Sequence, residues 1–114
     1  MARAPEPTDR LQGTVDMLIL KTLTLGPLHG WAISHHVRQT SREVLQLNQG
    51  ALYPALHRLE ERGWVTAEWG VSENNRRARF YTLTAEGRAQ LVAETHGWLE
   101  YVRAVQLVMQ LAPI

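Results

Sequence analysis

A chain of 114 residues, 45% hydrophobic and 20% charged, has the size and mix of one globular domain and no room for a second. It contains no cysteine, which excludes a disulfide framework, a thiolate metal site, a thiol redox switch and a cysteine nucleophile, and fits a reducing compartment such as the cytoplasm. Twelve Lys plus Arg against eleven Asp plus Glu give a net charge of +1, so any case for an anionic partner must rest on where the charges lie.

The first ten residues carry Glu6 and Asp9 and no apolar run, so they cannot form the hydrophobic centre of a signal peptide, and no stretch approaches the ~20 apolar residues of a membrane span. Residues 1–8, with Pro5 and Pro7, read as a flexible arm. From Asp9 a helix is expected: Asp9 and Gln12 have capping-box spacing, Leu11, Val15, Leu18 and Thr22 recur on one face, and Leu25-Gly26-Pro27 ends it. Met17, Ile19, Leu20 and Leu23 fill its other sides, so it is expected to be mostly buried. A second, short helix is expected from Gly30 or Trp31 to about Thr40, with Ile33 and Val37 inward and His35, His36, Arg38 and Gln39 outward.

The third helix is expected to start between Asn48 and Gly50 and to stop at Gly63, with a buried stripe of Leu52, Ala55, Leu56 and Leu59. Pro54 is tolerable there only if it falls in about the first turn. The period then changes to two. Trp64–Trp69 and Arg79–Leu83 read as strands of a hairpin with a long polar tip, G-V-S-E-N-N-R-R-A. Thr84 caps a last helix expected to run to about Leu111, with Gly87 a weak point in its first turn. Leu91, Thr95, Trp98, Val102, Val105, Met109 and Ala112 form a heptad-like seam, with Leu99 beside it, longer than a small core can cover. The expectation is a dimer helix over residues 85–114, following a domain of residues 9–84; the alternative is a tail folded back on its own domain.

The fold class is thus mainly α with a small β-hairpin: three helices, a hairpin and a helix are the element order of a winged helix-turn-helix, whose third helix enters the DNA major groove. Fold alone does not give function. With its stripe turned inward, the third helix presents Gln49, Tyr53 and His57, flanked by Arg58, and no acid occurs between Asn48 and Arg58. The hairpin tip gathers Arg76, Arg77 and Arg79 against Glu73, beside Asn74 and Asn75, which suit turn backbone and can reach phosphates. A solvated loop would explain the tip alone; with the third helix and the element order, double-stranded DNA is the expected partner.

The stretches G-T-V-D-M-L-I-L-K-T-L, G-P-L-H-G-W, Q-G-A-L-Y-P-A-L-H-R-L-E-E-R-G-W-V and S-E-N-N-R-R-A-R-F-Y-T-L-T-A-E-G resemble the PadR family of bacterial transcriptional regulators over about residues 12–100. The resemblance implies a winged helix, one C-terminal dimer helix, repression at a palindromic operator and release by a small molecule or another signal. By position it implies a phosphate contact for Tyr53 within L-Y-P-A-L, which includes Pro54. It places Gln49, Gly50 and Ala51 at the exposed start of the recognition helix and N-N-R-R on the wing. The chain departs from the family in having Trp31 for the usual tyrosine and Ala51 where serine is common, which removes one hydroxyl. The S-E-N-N-R-R form resembles a subgroup often encoded beside membrane permeases.

Other constellations are weak. His35 and His36 are adjacent and diverge by about 100° on a helix, and His96 with Glu100 is two ligands only, so no metal site is expected. His29 and His57 read as turn and surface residues, and Trp31 and Trp64 as core. Trp98 on the seam either packs as an anchor or walls a pocket for a flat aromatic effector, as some members of the resembling family have between dimer helices. No nucleophile elbow, phosphate loop or carboxylate pair suggests an enzyme, and no cofactor is implied. The rival reading is a winged-helix module that binds a protein and not specific DNA.

Overall fold

The computed structural model describes residues 7–110, with side chains from residue 13. The elements are α1 (Pro7–Thr22), a 3-10 turn (Leu23–Leu25), β1 (Leu28–His29), α2 (Gly30–Thr40), α3 (Gln49–Glu61), β2 (Val65–Val71), β3 (Arg77–Leu83) and α4 (Ala85–Met109). Helix α1 begins at Pro7, two residues earlier than expected, so Asp9 lies inside the helix and not at its cap. Proline suits a first helical position because its missing N–H is an unpaired one there. Residues 1–6 of the expected arm lie outside the described residues, as do Leu111, the expected end of α4, and Ala112.

The core forms where α1, α2 and α3 meet the sheet: Ile19, Leu20, Leu23, Ile33, Leu52, Ala55, Leu56, Leu59, Val65 and Tyr81 are buried together. Each fully buried Leu or Ile contributes about 1.5–3 kcal/mol relative to exposure, so this cluster is the main apolar stabilisation of the fold. All four residues of the expected α3 stripe are in it. Asn48 caps α3 by accepting the Ala51 N–H at 2.9 Å, and Gly63 takes the left-handed conformation (φ 75°) that ends it. Pro54 is the sixth residue of α3, deeper than the first turn. The Gly50 carbonyl therefore lacks its helical donor, a local cost that the buried stripe offsets.

The sheet has three strands, not two, in the order β1-β3-β2 and antiparallel throughout. The extra strand is only Leu28–His29, paired with Phe80 and Tyr81. The hairpin is longer than expected: Gly70 pairs with Ala78 and Val71 with Arg77, so the tip shrinks to residues 72–76. Asn75 supplies the left-handed turn residue (φ 58°), and the Ser72 N–H donates to the Arg76 carbonyl at 2.8 Å.

Helix α4 is anchored at its start. The Thr84 hydroxyl accepts the Gly87 N–H at 3.0 Å and donates to the Gly63 carbonyl at 2.7 Å, joining the end of α3 to the start of α4. Gly87 is not a weak point: it is buried, and a Cβ there would run into the Trp64 carbonyl, so the close approach of α4 to the hairpin needs glycine. Beyond its first turns α4 leaves the domain. Its 25 residues span about 37 Å, and the chain has a radius of gyration of 15.8 Å against the ~13 Å of a compact domain of this length.

One polar contact crosses the helical layer. Asp16 on α1 is buried, its carboxylate accepting from Arg58 Nη2 at 2.8 Å. Burial pushes the Asp16 carboxyl above its usual pKa of 3.8, and Arg58 only partly opposes this. An acid with a raised folded-state pKa contributes stability that is full below the unfolded value and lost as pH rises through the folded one. Arg58→Met strips Asp16 of its cation and raises its pKa further. Urea unfolding at neutral pH should show a loss of about 2 kcal/mol, less than the ~3–5 kcal/mol of fully buried pairs because Arg58 keeps some water. The gap to wild type should close as pH falls toward 3.8; a pH-independent gap would show that Asp16 carries no charge in the fold.

Candidate nucleic-acid interface

The outer face of α3 is open. Gln49, Gly50, Tyr53, Pro54 and His57 are exposed and Ala51 is half-buried, because the same helical period that buries Leu52, Leu56 and Leu59 turns these outward. Tyr53 stands over the start of α2: a Cβ on Gly30 would lie 2.8 Å from its hydroxyl oxygen, so Gly30 provides the space that sets the ring. His57 is engaged along the helix, its Nε2 2.6 Å from the Glu61 carboxylate.

Two arginines expected at this surface are committed elsewhere. Arg58 points to α1 and Asp16, with only 27% of its side chain exposed. Arg79 lies on β3 and binds Glu60 near the end of α3 at 2.7 Å. Both brace α3, and Arg79 still leaves 42% of its side chain exposed beside the wing. The partners, 42 and 19 residues away in sequence, carry no local signal. Arg76 and Arg77 remain exposed at the wing with no carboxylate partner among the described residues, and the Arg77 guanidinium lies 4.5 Å over the Trp69 ring. Asn74 and Asn75 are exposed at the tip.

His29 was missed as a structural residue. It is buried, caps α2 by accepting the Ala32 N–H on Nδ1 at 3.2 Å, and sets its ring edge-on to Phe80 at 5.3 Å. Its Nε2 is 3.6 Å from the Glu73 carboxylate at the wing tip. Glu73 is held below the usual carboxylate range, first by its own backbone N–H and then by His29. The wing tip is thereby tied to the α2 N-terminus. Histidine seldom caps helices, so only its place before Gly30 could have signalled this. Trp31, expected in the core, is exposed and stacks on His35, with centroids 4.8 Å apart and planes 10° from parallel. Trp64 is half-buried against the core as expected.

Together α2, α3 and the wing enclose a groove of about 620 Å³, into which Tyr53, Arg76 and Arg77 all face. On α4 the seam divides. Leu91 packs on the domain's own core and Trp98 and Val102 are half-buried, whereas Thr95, Leu99, Val105 and Met109 are exposed, together with Leu107 and Val108. Trp98 and Tyr101 sit 6.0 Å apart. Among the described residues no group of three or more His, Asp or Glu could hold a metal, and no helix is long and apolar enough to cross a membrane.

Residues 19–93 match the Transcriptional regulator PadR-like family. A transcriptional regulator from Clostridium thermocellum has the same fold, with a TM-score of 0.77 and 28% identity over 86% of this chain and 95% of its own. Transcriptional regulator Rv3488 of Mycobacterium tuberculosis is 37% identical over 60% of this chain and 63% of its own, and Negative transcriptional regulator PadR of Bacillus subtilis 27% identical over 71% and 42%. These last two are thus spanned only in part. The open face of α3, the arginine-bearing wing and a family match over most of the chain agree: the chain belongs to the PadR-like family, a family of transcriptional regulators and not of enzymes.

Proposed function

We propose that this protein is a homodimeric repressor that binds a palindromic operator in double-stranded DNA, acts in the cytoplasm, and is released by a flat aromatic effector. One observation carries the reading: Tyr53 of the open α3 face lines one groove with Arg76 and Arg77 of the wing, which have no carboxylate partner among the described residues. Gln49, Gly50, Ala51, Tyr53, Pro54 and His57 then meet the major groove with Arg58 flanking them, and Asn74, Asn75, Arg76, Arg77 and Arg79 the adjoining backbone.

A second copy on α4 is the other half of the proposal. Leu99, Val105, Leu107, Val108 and Met109 form an apolar surface on a projecting helix, and such a surface on a soluble domain marks an interaction site. A twofold pairing there sets two α3 helices about one DNA turn, ~34 Å, apart. Thr95, Trp98 and Val102 lie on the same seam, and the Trp98–Tyr101 pair offers an aromatic wall to an effector.

Fluorescence anisotropy against the protein's own upstream DNA and a scrambled duplex tests the reading; tighter binding to the native fragment supports it, and equal weak binding turns the case to a protein partner on α4. If each subunit neutralises about three to five phosphates, the dimer neutralises roughly 6 to 10 and should lose about 10³ to 10⁵ in affinity between 50 and 200 mM salt. Arg76→Ala and Arg77→Ala should each flatten that salt slope by about two per dimer, and an unchanged slope would remove the wing from the interface. Tyr53→Phe should cost about 1 kcal/mol per subunit in operator affinity at constant salt, the worth of one hydrogen bond to phosphate. Val105→Glu combined with Met109→Glu should sediment as a monomer with helical circular dichroism retained, and a persisting dimer would move the interface off the end of α4.

A further inference from the structure

The groove beside Tyr53 has two walls that neither the recognition helix nor the wing arginines explain. Trp31, at the second position of α2, is 62% exposed, and Trp69, on β2, is 60% exposed. Both indoles line the groove. Each is held by a stacking partner, Trp31 by His35 and Trp69 by the Arg77 guanidinium, so neither ring is a loose surface side chain. Two ordered, exposed tryptophans facing one concavity signal an occupant, since each would otherwise leave a large apolar ring in water.

The chemistry of the walls selects that occupant. Tyr53, Asn74, Arg76, Arg77 and Arg79 present hydrogen-bond donors, three of them cationic though Arg79 also pairs with Glu60, and the indoles add apolar faces and N–H donors. The single carboxylate on the walls, Glu73, is turned toward His29. A donor-rich, cationic and aromatic channel fits a chain of alternating phosphates and apolar sugar faces. Position agrees: when α3 lies in the major groove and the wing reaches the neighbouring minor groove, the strand between those grooves must pass between α3 and the wing.

We infer that Trp31 and Trp69 are DNA contacts, forming the two walls of a channel for one sugar–phosphate strand, with their faces on deoxyribose and their N–H groups toward phosphate. This rests on the DNA-binding reading above and extends the interface to the N-terminus of α2. Such contacts position and do not read sequence. Trp31→Ala should therefore weaken the upstream and scrambled duplexes alike, by about tenfold each if half an indole is buried on sugar, and leave the salt slope unchanged because no charge is lost.

The direct test uses the wild-type chain with 5-fluorotryptophan, its four ¹⁹F resonances assigned by single Trp→Phe substitutions. On titration with the upstream duplex, the Trp31 and Trp69 signals should shift while that of Trp64, packed against the core, stays. Saturable binding with Trp31 and Trp69 unmoved, or a Trp31→Ala variant of full affinity, overturns the inference and leaves the DNA-binding reading standing. Absence of any duplex binding by the wild-type protein overturns both.

Discussion

The Asp16–Arg58 pair is the constraint on which the placement of α3 depends. A helix that keeps its outer face open can be held only from within, and apolar contact, being non-directional, resists rotation and sliding poorly. The stripe of Leu52, Ala55, Leu56 and Leu59 supplies adhesion; the hydrogen-bonded pair supplies direction. Burial outweighs Arg58 in setting the Asp16 pKa, so the charge itself is no net gain in stability. What it gives is register between α1 and α3. Glu60, two residues further along α3, repeats the arrangement with Arg79 of β3.

These braces explain what could and could not be read from the chain. Helix ends were legible because capping depends on nearby residues: Asn48 and Thr84 each accept the N–H three positions on, and Gly63 acts through its own φ. The α3 stripe was legible because its period is intrinsic to the helix. The pairing of Arg58 and Arg79 was not legible because a helical wheel gives a direction but not the acid waiting there, and Asp16 and Glu60 are distant in sequence. Strand β1 was missed because two residues show no alternation; it exists only because β3 offers an edge. Trp31 is outside the core because Ile33 and Val37 define the buried side of α2 and leave Trp31 about half a turn away.

The wing is organised by the same economy of contacts. Its turn is closed locally by Ser72 and Asn75, but its position over the domain comes from His29, which caps α2 with one nitrogen and faces Glu73 with the other. A single buried ring thus relates the start of α2 to the hairpin tip, the two sides of the groove. Arg77 lying on Trp69 limits the freedom of the guanidinium at the rim, lowering the entropy lost when it meets an anion.

How a signal on α4 would reach DNA follows from the stiffness of its root. Thr84 clamps Gly63, and Gly87 sits against the Trp64 carbonyl with no room for a Cβ, so α4 cannot pivot at its first turn without disturbing the hairpin. Helix α1 packs on both α3 and α4, and Glu94 on α4 acts on the Asp16 carboxyl that orients α3. Domain and helix root must then move as one body. In the proposed dimer, an effector between the α4 helices could alter DNA affinity only by changing the separation and angle of two rigid domains. Since DNA fixes the half-site spacing near one helical turn, a small rotation at the α4 seam is enlarged by the ~37 Å lever of the helix into a mismatch at the second recognition helix.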